Sequence, residues 1–297
     1  MILATSTRQS AMTKITNCNF TSPATWGGVA IKLGESTAGT VPTITGTVIE
    51  GCKILNYRTG IENYSSEIDV INNVIYCNNP LIFYGCVKNV IKNNTLKAIT
   101  SADPGRCLVL GRKRVSNAVK GTGQTVFTST TLQDANVSWT IAAVPLDGTA
   151  CVIVSNTNNG SDVALYFGVV NAIDDTNDIV TVDRWIKVSD GTVATPDSNT
   201  YFVGIYRWGM LNYIVNNIMD GSSSVNTFTF DFLPLDGQNT INYNCYFPVS
   251  SNIGNATQAS LTAFKAKWLV WPEDRYSWYI STSKYNDANS IEANPQF

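Results

Sequence analysis

Short alternations of apolar and polar residues run through most of the chain, and one of them recurs in a nearly constant form. The unit is an aliphatic residue, any residue, usually Asn or Gly, a small polar residue, any residue and an apolar residue. Copies of it begin at Ile15, Ile49, Val70, Ile91, Ile214 and Ile241. Apolar residues at alternate positions, interrupted by Asn and Gly, predict short strands and turns rather than helices.

The spacing of the copies indicates how these strands are arranged. From Ile49 to Val70 is 21 residues, and from Val70 to Ile91 is 21 again. A repeat of this length with three short strands closes one turn of a solenoid, and stacked turns share one apolar interior. The sequence therefore predicts an all-β protein built on a parallel β-helix with coils of about 21 residues.

In this repeat the chain resembles the pectate-lyase-like right-handed parallel β-helices. Each coil of that family has three strands, PB1, PB2 and PB3, and the turn between PB2 and PB3 often holds a stack of Asn side chains. The resemblance implies a ladder formed by Cys18, Cys52, Asn73, Asn94, Asn217 and Asn244. Each ladder amide can bond its neighbour and so satisfy polar groups in an otherwise buried turn.

The resemblance also places a PB1 strand upstream of each PB2 strand. The candidates are Gly60–Tyr64, Leu81–Tyr84, Arg106–Leu110 and Thr227–Phe232. Ile61 and Ile82 are again 21 residues apart, so both are expected to point inward. Because side chains alternate along a strand, Glu62 and Phe83 are then expected to face solvent.

The repeat is interrupted once. We expect residues 1–111 and 207–297 to form the β-helix and residues 112–206 to form an inserted β-rich domain, a small sandwich or barrel. By its position the insertion emerges from the turn between PB1 and PB2, so we expect it to form one wall of the PB1 groove. Its segment Thr181–Trp185 and the later Tyr201–Val203 resemble β-modules of phage tail and virion-surface proteins.

The C-terminal segment carries a second resemblance. Asp287–Phe297 is similar to the Asp-x-x-Ser-Ile-x-x-Asp-Pro-x-Phe signature that follows the last coils in many carbohydrate-related β-helix proteins. Asn294 stands where that signature has its second Asp.

The composition and charge of the chain limit the classes of partner that it is expected to bind. Charged residues are 14% of the chain, the net charge is −2 and the longest basic run is the three residues Arg112–Arg114, so nucleic acid is not expected. No apolar stretch is long enough for membrane insertion. Met1–Ser10 lacks the pattern of a signal peptide. The seven Cys include no CxxC pair, which favours reduced thiols and no metal site. We expect cytoplasmic synthesis followed by a virion-surface or extracellular location.

Candidate chemistry is limited by the absence of His, which removes Ser-His-Asp and Cys-His catalysis. Glycoside hydrolysis needs two carboxylates, for which Glu62, Asp69 and Asp231 are candidates. Polysaccharide β-elimination needs a base, for which Arg58 and Arg106 are candidates, and it allows for a calcium ion. No cofactor is expected otherwise.

Aromatic side chains suggest carbohydrate binding as an alternative to catalysis. Tyr64 and Phe83 belong to the predicted PB1 face, and Trp271 and Trp278 lie in an aromatic-rich segment near the C-terminus. Aromatics with polar handles suit stacking on sugar rings and equally suit a buried subunit interface.

Three functions remain open. The first is a phage-like virion-surface protein of tailspike or fibre type, a homotrimer that recognises a polysaccharide or surface glycan. The second is a microbial polysaccharide lyase or glycoside hydrolase. The third is a purely structural decoration or filament subunit. A repeat scaffold alone does not choose among them, so the sequence leaves open whether the protein is an enzyme.

Overall fold

The described part of the chain consists of β-strands and the turns between them. The computed structural model describes residues 2–4, 13–23, 27–34, 45–99, 105–111, 113–114, 119–120, 125–134, 139, 150–155, 164–187, 192–197, 202–207, 211–221, 228–230, 239–247 and 289–293. Every regular element in these ranges is a strand, which confirms the predicted all-β class. A helix suited to crossing a membrane is not found in the part of the chain that the structure describes.

The strands are numbered in chain order. The first thirteen are β1 Ile2–Ala4, β2 Lys14–Thr16, β3 Asn19–Thr21, β4 Val29–Leu33, β5 Val48–Glu50, β6 Lys53–Leu55, β7 Thr59–Asn63, β8 Asp69–Ile71, β9 Val74–Cys77, β10 Asn79–Tyr84, β11 Val90–Lys92, β12 Thr95–Ala98 and β13 Leu108–Gly111. The next nine are β14 Lys113–Arg114, β15 Val119–Lys120, β16 Thr125–Phe127, β17 Thr131–Asp134, β18 Ala150–Ser155, β19 Ala164–Asp174, β20 Ile179–Val182, β21 Ile186–Lys187 and β22 Phe202–Arg207. The last six are β23 Tyr213–Val215, β24 Ile218–Asp220, β25 Phe228–Phe230, β26 Thr240–Asn242, β27 Cys245–Phe247 and β28 Ile291–Glu292.

The chain divides into two compact units. The first contains Met1–Glu35, Pro42–Gly111 and Gly209–Phe297, and the second contains Ser36–Val41 and Arg112–Trp208. Each unit has a hydrophobic core of its own.

The first unit is made of three parallel sheets that the chain visits in rotation. The first sheet has the order β1-β4-β7-β10-β13-β25, the second β2-β5-β8-β11-β23-β26, and the third β28-β27-β24-β12-β9-β6-β3. One passage through the three sheets, such as β7, β8 and β9, is called a rung below. The strands of successive rungs pair in parallel and in register, as Ile49, Val70 and Ile91 do in the second sheet.

Inward-facing aliphatic side chains from all three sheets form the core of the first unit. Ile49, Val70 and Ile91 are fully buried in the second sheet, and Ile75 and Leu96 are fully buried in the third. Since these positions recur on every rung, each rung buries its apolar side chains against those of its neighbours.

A column of side chains runs along the turn between the second and third sheets. The column contains Cys18, Cys52, Asn73, Asn94, Asn217, Asn244 and Ser290. The Asn94 Oδ1 accepts hydrogen bonds from the Asn73 backbone N–H (2.9 Å) and the Asn73 Nδ2 (3.0 Å). The Asn94 Nδ2 donates to the Val70 carbonyl of the preceding rung (2.9 Å). The column therefore satisfies backbone groups that the buried turn would otherwise leave unpaired.

The two ends of this column use other side chains in the same geometry. The Cys52 Sγ donates to the Ile15 carbonyl (3.4 Å), as each Asn amide donates to the preceding rung. At the other end the Asn244 backbone N–H donates to the Ser290 Oγ (2.7 Å), and Ser290 belongs to the C-terminal signature. A thiol and a hydroxyl thus take the place of the amide at the column ends.

The residue before each Cys or Asn of the column has a left-handed backbone. Asn72, Asn93 and Asn216 have φ of 57°, 58° and 56° there, and Gly51 has 65°. Tyr243 adopts the same conformation with φ of 56°, and its side chain is 58% exposed. Asn and Gly tolerate this region far better than Tyr does, which explains the Asn-Asn pairs of the repeat.

Tyr243→Asn is therefore expected to raise the free energy of unfolding by about 1 kcal/mol, because it removes a strained left-handed residue from an exposed turn. Equilibrium unfolding in urea measures this difference. Tyr213→Asn is the matched control, since Tyr213 is also exposed but lies inside β23. A gain in the control as large as that in Tyr243→Asn would contradict the explanation.

A second Asn column runs along the turn between the first and second sheets. The Ile68 backbone N–H donates to the Asn89 Oδ1 (3.0 Å), and the Asn89 N–H donates to the Asn212 Oδ1 (3.0 Å). The Asn212 N–H donates in turn to the Asn239 Oδ1 (3.0 Å). Asn89, Asn212 and Asn239 each lie five residues before a member of the first column, so two turns of every one of these rungs are held in the same way.

The strand pairing in the first sheet differs from the sequence prediction in the direction of two side chains, Ile82 and Phe83. Ile61 pairs with Leu81, and Glu62 pairs with Ile82. Phe83 therefore points inward and is fully buried, whereas Ile82 points outward. The expectation that Ile82 faces the core and Phe83 the solvent is wrong, because the first sheet repeats after 20 residues at this rung while the second repeats after 21.

The second unit is a separate nine-stranded antiparallel sheet. Its path is β14-β22-β18-β19-β20-β17-β16, with β15 paired to β22 and β21 paired to β19. The sheet curls into a half-barrel, and the long strand β19 shifts register between Val170 and Ala172. Trp139 and Trp185 are fully buried in its core.

Asp183 brings a pH dependence to this unit. Its Oδ1 accepts the Val169 backbone N–H (3.1 Å), its side chain is 14% exposed, and burial raises its pKa. A carboxyl whose pKa is higher in the folded chain contributes stability below the unfolded pKa of about 3.9, and that contribution is lost as pH rises through the folded pKa. At neutral pH the ionised group therefore costs stability.

Asp183→Asn keeps the acceptor and removes the charge, so it is expected to raise the free energy of unfolding at pH 7. The gain should shrink as pH falls, because the raised pKa lets the wild-type carboxyl take up a proton more readily in the folded chain than in the unfolded chain. Urea unfolding of both proteins at pH 7 and pH 4 measures the difference. A variant less stable than the wild type at pH 7 would refute the assignment.

Candidate functional site

The outward face of the first parallel sheet carries a cleft of about 310 Å³. This volume lies at the lower end of the roughly 300–1,000 Å³ usual for small-molecule pockets. Three successive rungs, those of β4, β7 and β10, supply its lining residues Gly28, Val29, Arg58, Thr59, Glu62, Tyr64, Asn79, Ile82 and Tyr84.

Glu62 is the acidic side chain among these lining residues. Lys32, Glu62 and Ile82 are paired across neighbouring strands, so their side chains stand in one outward row. The Tyr64 hydroxyl donates to the Glu62 Oε1 (2.6 Å), and the Lys32 Nζ lies 3.9 Å from the same oxygen. The carboxylate is thus held in one orientation by two neighbours, which is the preorganisation that a binding group needs.

Two stacked tyrosines form the aromatic part of the cleft. The ring centroids of Tyr64 and Tyr84 are 5.5 Å apart with an angle of 27° between the planes. The Lys32 Nζ lies 5.7 Å from the Tyr64 ring centroid. Tyr64 follows β7 and Tyr84 ends β10, so the in-register pairing of these strands brings the rings together.

The backbone after β7 is held by Asn63. Its Oδ1 accepts the Ser65 N–H (2.9 Å) and its Nδ2 donates to the Ser65 carbonyl (3.1 Å). Asn63 is fully buried, so these bonds satisfy an amide that lies in an otherwise apolar inward row. The same bonds fix the path of the chain on both sides of Tyr64.

The cleft brings together three of the residues that the sequence singled out. Glu62, Arg58 and Tyr64 all line it. Asp69 lies on the second sheet, where it pairs with Val48 and Val90, and burial raises its pKa. Glu62 and Asp69 therefore stand on different sheets rather than across one cleft.

The remaining predicted residues lie elsewhere. Arg106 precedes β13, is not among the residues lining the cleft, and has a buried Nε without a hydrogen-bond partner. Phe83 is part of the core, so its predicted contact with carbohydrate is wrong: a fully buried ring has no face available to a ligand. Asp231, Trp271 and Trp278 lie outside the described residues.

Sequence reasoning missed Lys32 and Tyr84 as members of this site. Lys32 pairs with Glu62 at a distance of 30 residues, which a search at 21-residue spacing does not find. Tyr84 ends the predicted strand Leu81–Tyr84 and lies 20 residues after Tyr64, so a 21-residue repeat does not align the two rings. A search for tyrosines at the ends of candidate first-sheet strands would have found both rings.

Among the described residues, no group of three or more His, Cys, Asp or Glu side chains is arranged to hold a metal ion. Comparisons with protein-family models, with curated proteins and with solved structures find no match to this chain.

Proposed function

We propose that the cleft on the first parallel sheet binds a glycan. The observation that carries the proposal is the stacked pair Tyr64 and Tyr84 beside the oriented carboxylate of Glu62. A pyranose has an apolar C–H face and a rim of hydroxyl groups. Tyr84, the more exposed of the two rings, suits such a face, with the buried Tyr64 ring packed behind it. A carboxylate accepts hydrogen bonds from hydroxyl donors.

Binding is favoured over paired-carboxylate hydrolysis because of what lines the cleft. Glu62 is the one acidic side chain among the described lining residues, whereas hydrolysis uses two carboxyl groups roughly 5–9.5 Å apart. Arg58 at the rim adds a planar donor that suits hydroxyl or carboxylate groups of a sugar. These side chains give recognition without a complete catalytic pair.

The proposal includes the architecture and biological setting that the sequence suggested. In it the first unit is a right-handed parallel β-helix of pectate-lyase-like type, and the protein belongs to the virion surface as a homotrimer of tailspike or fibre type. Rotation of the chain through three parallel sheets and the Asn columns support the β-helix. Analytical ultracentrifugation tests the trimer, and a monomer at micromolar concentration would count against it.

The first experiment is a binding screen with bacterial capsular and acidic polysaccharides. Each mixture is read for binding, for new reducing ends and for absorbance of unsaturated products. Binding to at least one polysaccharide without cleavage is expected. Cleavage would favour the lyase or hydrolase, and an absence of binding across a broad panel would leave the structural role.

Glu62→Gln is expected to weaken binding of a polysaccharide identified in this way by about 10- to 100-fold, because hydrogen bonds to a charged group contribute roughly 1.5–3 kcal/mol. Isothermal titration calorimetry measures the affinity. Glu50→Gln is the matched control, since Glu50 is an exposed glutamate on the second sheet. Equal affinities of wild type and Glu62→Gln would remove the cleft from the proposal.

A further inference from the structure

Two cysteines face each other at one end of the first Asn column. Thr16 pairs with Glu50, and Asn19 pairs with Lys53. Between these two pairs each turn contains two residues, 17–18 in one rung and 51–52 in the next. Cys18 therefore stands directly opposite Cys52. The Lys53 backbone N–H donates to the Cys18 carbonyl (2.9 Å), which ties the two turns together at this point.

Both residues carry free thiols. Cys18 interacts with the Cys52 sulfur through its backbone N–H and through its own thiol. Cys18 is partly exposed, whereas Cys52 is 2% exposed. The pair thus combines a sulfur that solvent reaches with a buried sulfur beside it.

The spacing of the two residues suits a disulfide bond. Neighbouring strands of a sheet lie about 4.7–4.9 Å apart. Disulfide-bonded cysteines have Cα atoms about 4.4–6.8 Å apart, so two cysteines at opposite positions of adjacent rungs fall within this range. The left-handed residues Asn17 and Gly51 precede both cysteines, so the two side chains leave their turns in the same direction.

We propose that Cys18 and Cys52 are an oxidation site that forms a disulfide bond between the first two rungs of the parallel unit. The oxidant is a low-molecular-weight disulfide. The partly exposed Cys18 thiolate attacks it, forms a mixed disulfide and releases one thiol. The Cys52 thiolate then attacks the Cys18 sulfur and releases the second thiol. Two protein thiols are oxidised, one disulfide is reduced to two thiols, and the protein loses two hydrogen atoms in total.

The bond acts as a clamp on the end of the column. In the reduced protein the Cys52 Sγ contributes a weak thiol hydrogen bond to the Ile15 carbonyl, which is less than the amide contributes in the other rungs. A covalent link between the rungs constrains the unfolded chain and holds the terminal rung in place. The site is inert in a reducing compartment and closes on transfer to an oxidising one.

The test uses the full reduced chain incubated with oxidised glutathione. Peptide mapping by mass spectrometry without reductant is expected to find Cys18 joined to Cys52. The midpoint of thermal unfolding should rise on oxidation and return on addition of dithiothreitol. Cys18→Ser should show no rise, whereas Cys245→Ser, which removes a partly exposed thiol on the third sheet, should retain it.

Three results would overturn the proposal. One is a glutathione adduct on Cys18 that persists without resolution by Cys52. Another is a cross-linked peptide with no rise in the unfolding midpoint. The third is a rise of equal size in Cys18→Ser. Cys18→Ala serves as a second variant if Cys18→Ser does not fold, and mapping of the wild-type chain needs neither.

Discussion

Asn94→Ala is expected to lower the free energy of unfolding by about 3–5 kcal/mol, because it orphans several buried polar groups at once, each worth roughly 1–3 kcal/mol. The Asn73 backbone N–H and the Val70 carbonyl lose their bonds to the Asn94 amide. The side-chain amides of Asn73 and Asn217 each lose one of their hydrogen bonds. Asn94 lies in the middle of the column, so the loss affects the rungs on both sides. Urea unfolding followed by circular dichroism measures the effect.

Asn93→Gly is the matched control for Asn94→Ala. Asn93 is the adjacent residue, is exposed, and has a φ of 58° that glycine adopts readily. A change within about 0.5 kcal/mol is expected for a surface site whose backbone suits the new residue. If the two variants lost equal stability, the column would not be the source of the effect.

Phe83→Ala is also expected to lower the free energy of unfolding by about 3–5 kcal/mol, as large aromatic side chains do when removed from a packed core. Phe83 is fully buried among the inward side chains of the first unit. Ile82→Ala, one residue away, should cost less than about 1 kcal/mol, because Ile82 faces outward and leaves no enclosed cavity.

The same two variants separate the core from the cleft in binding. Ile82 lines the cleft, so Ile82→Ala should weaken glycan binding while Phe83→Ala, where folded, leaves it close to the wild-type value. Calorimetric titration at a temperature well below the unfolding midpoint of Phe83→Ala provides the comparison. If Phe83→Ala weakened glycan binding and Ile82→Ala did not, the orientation predicted from the sequence, with Phe83 facing solvent, would be supported instead.

The all-β class and the parallel strands followed from the repeat because apolar side chains inside a stacked core recur at fixed spacing. Ile49, Val70 and Ile91 recur at 21 residues, and the structure pairs them in one sheet. The Asn pairs of the repeat also have a physical cause. One Asn takes the left-handed turn and the next supplies the amide of the column, as Asn93 and Asn94 do.

The second column escaped sequence reasoning because its early members are not Asn. Thr47 and Ile68 occupy the positions equivalent to Asn89, so the pattern becomes visible only from Asn89 onwards. An Asn five residues before each ladder Asn in three rungs was the available signal. The hydrogen bonds between neighbouring Asn side chains, which explain this spacing, form only in the folded chain.

The direction of Phe83 could not be predicted from a constant repeat length. The loops between sheets differ in length by single residues, and one residue moves a strand position to the opposite face. Ile61 and Leu81 are 20 residues apart while Val70 and Ile91 are 21 apart, so no single spacing serves both sheets. The partners of Glu62 in the cleft were hidden for the same reason.

Glycan binding in the cleft is tested most directly by hydroxyl-radical footprinting of tyrosines with and without a bound oligosaccharide. The account predicts that modification of Tyr84 falls on binding, while Tyr213 and Tyr243, which are 45% and 58% exposed on other parts of the first unit, react as before. Unchanged modification of Tyr84 at saturating oligosaccharide would contradict it.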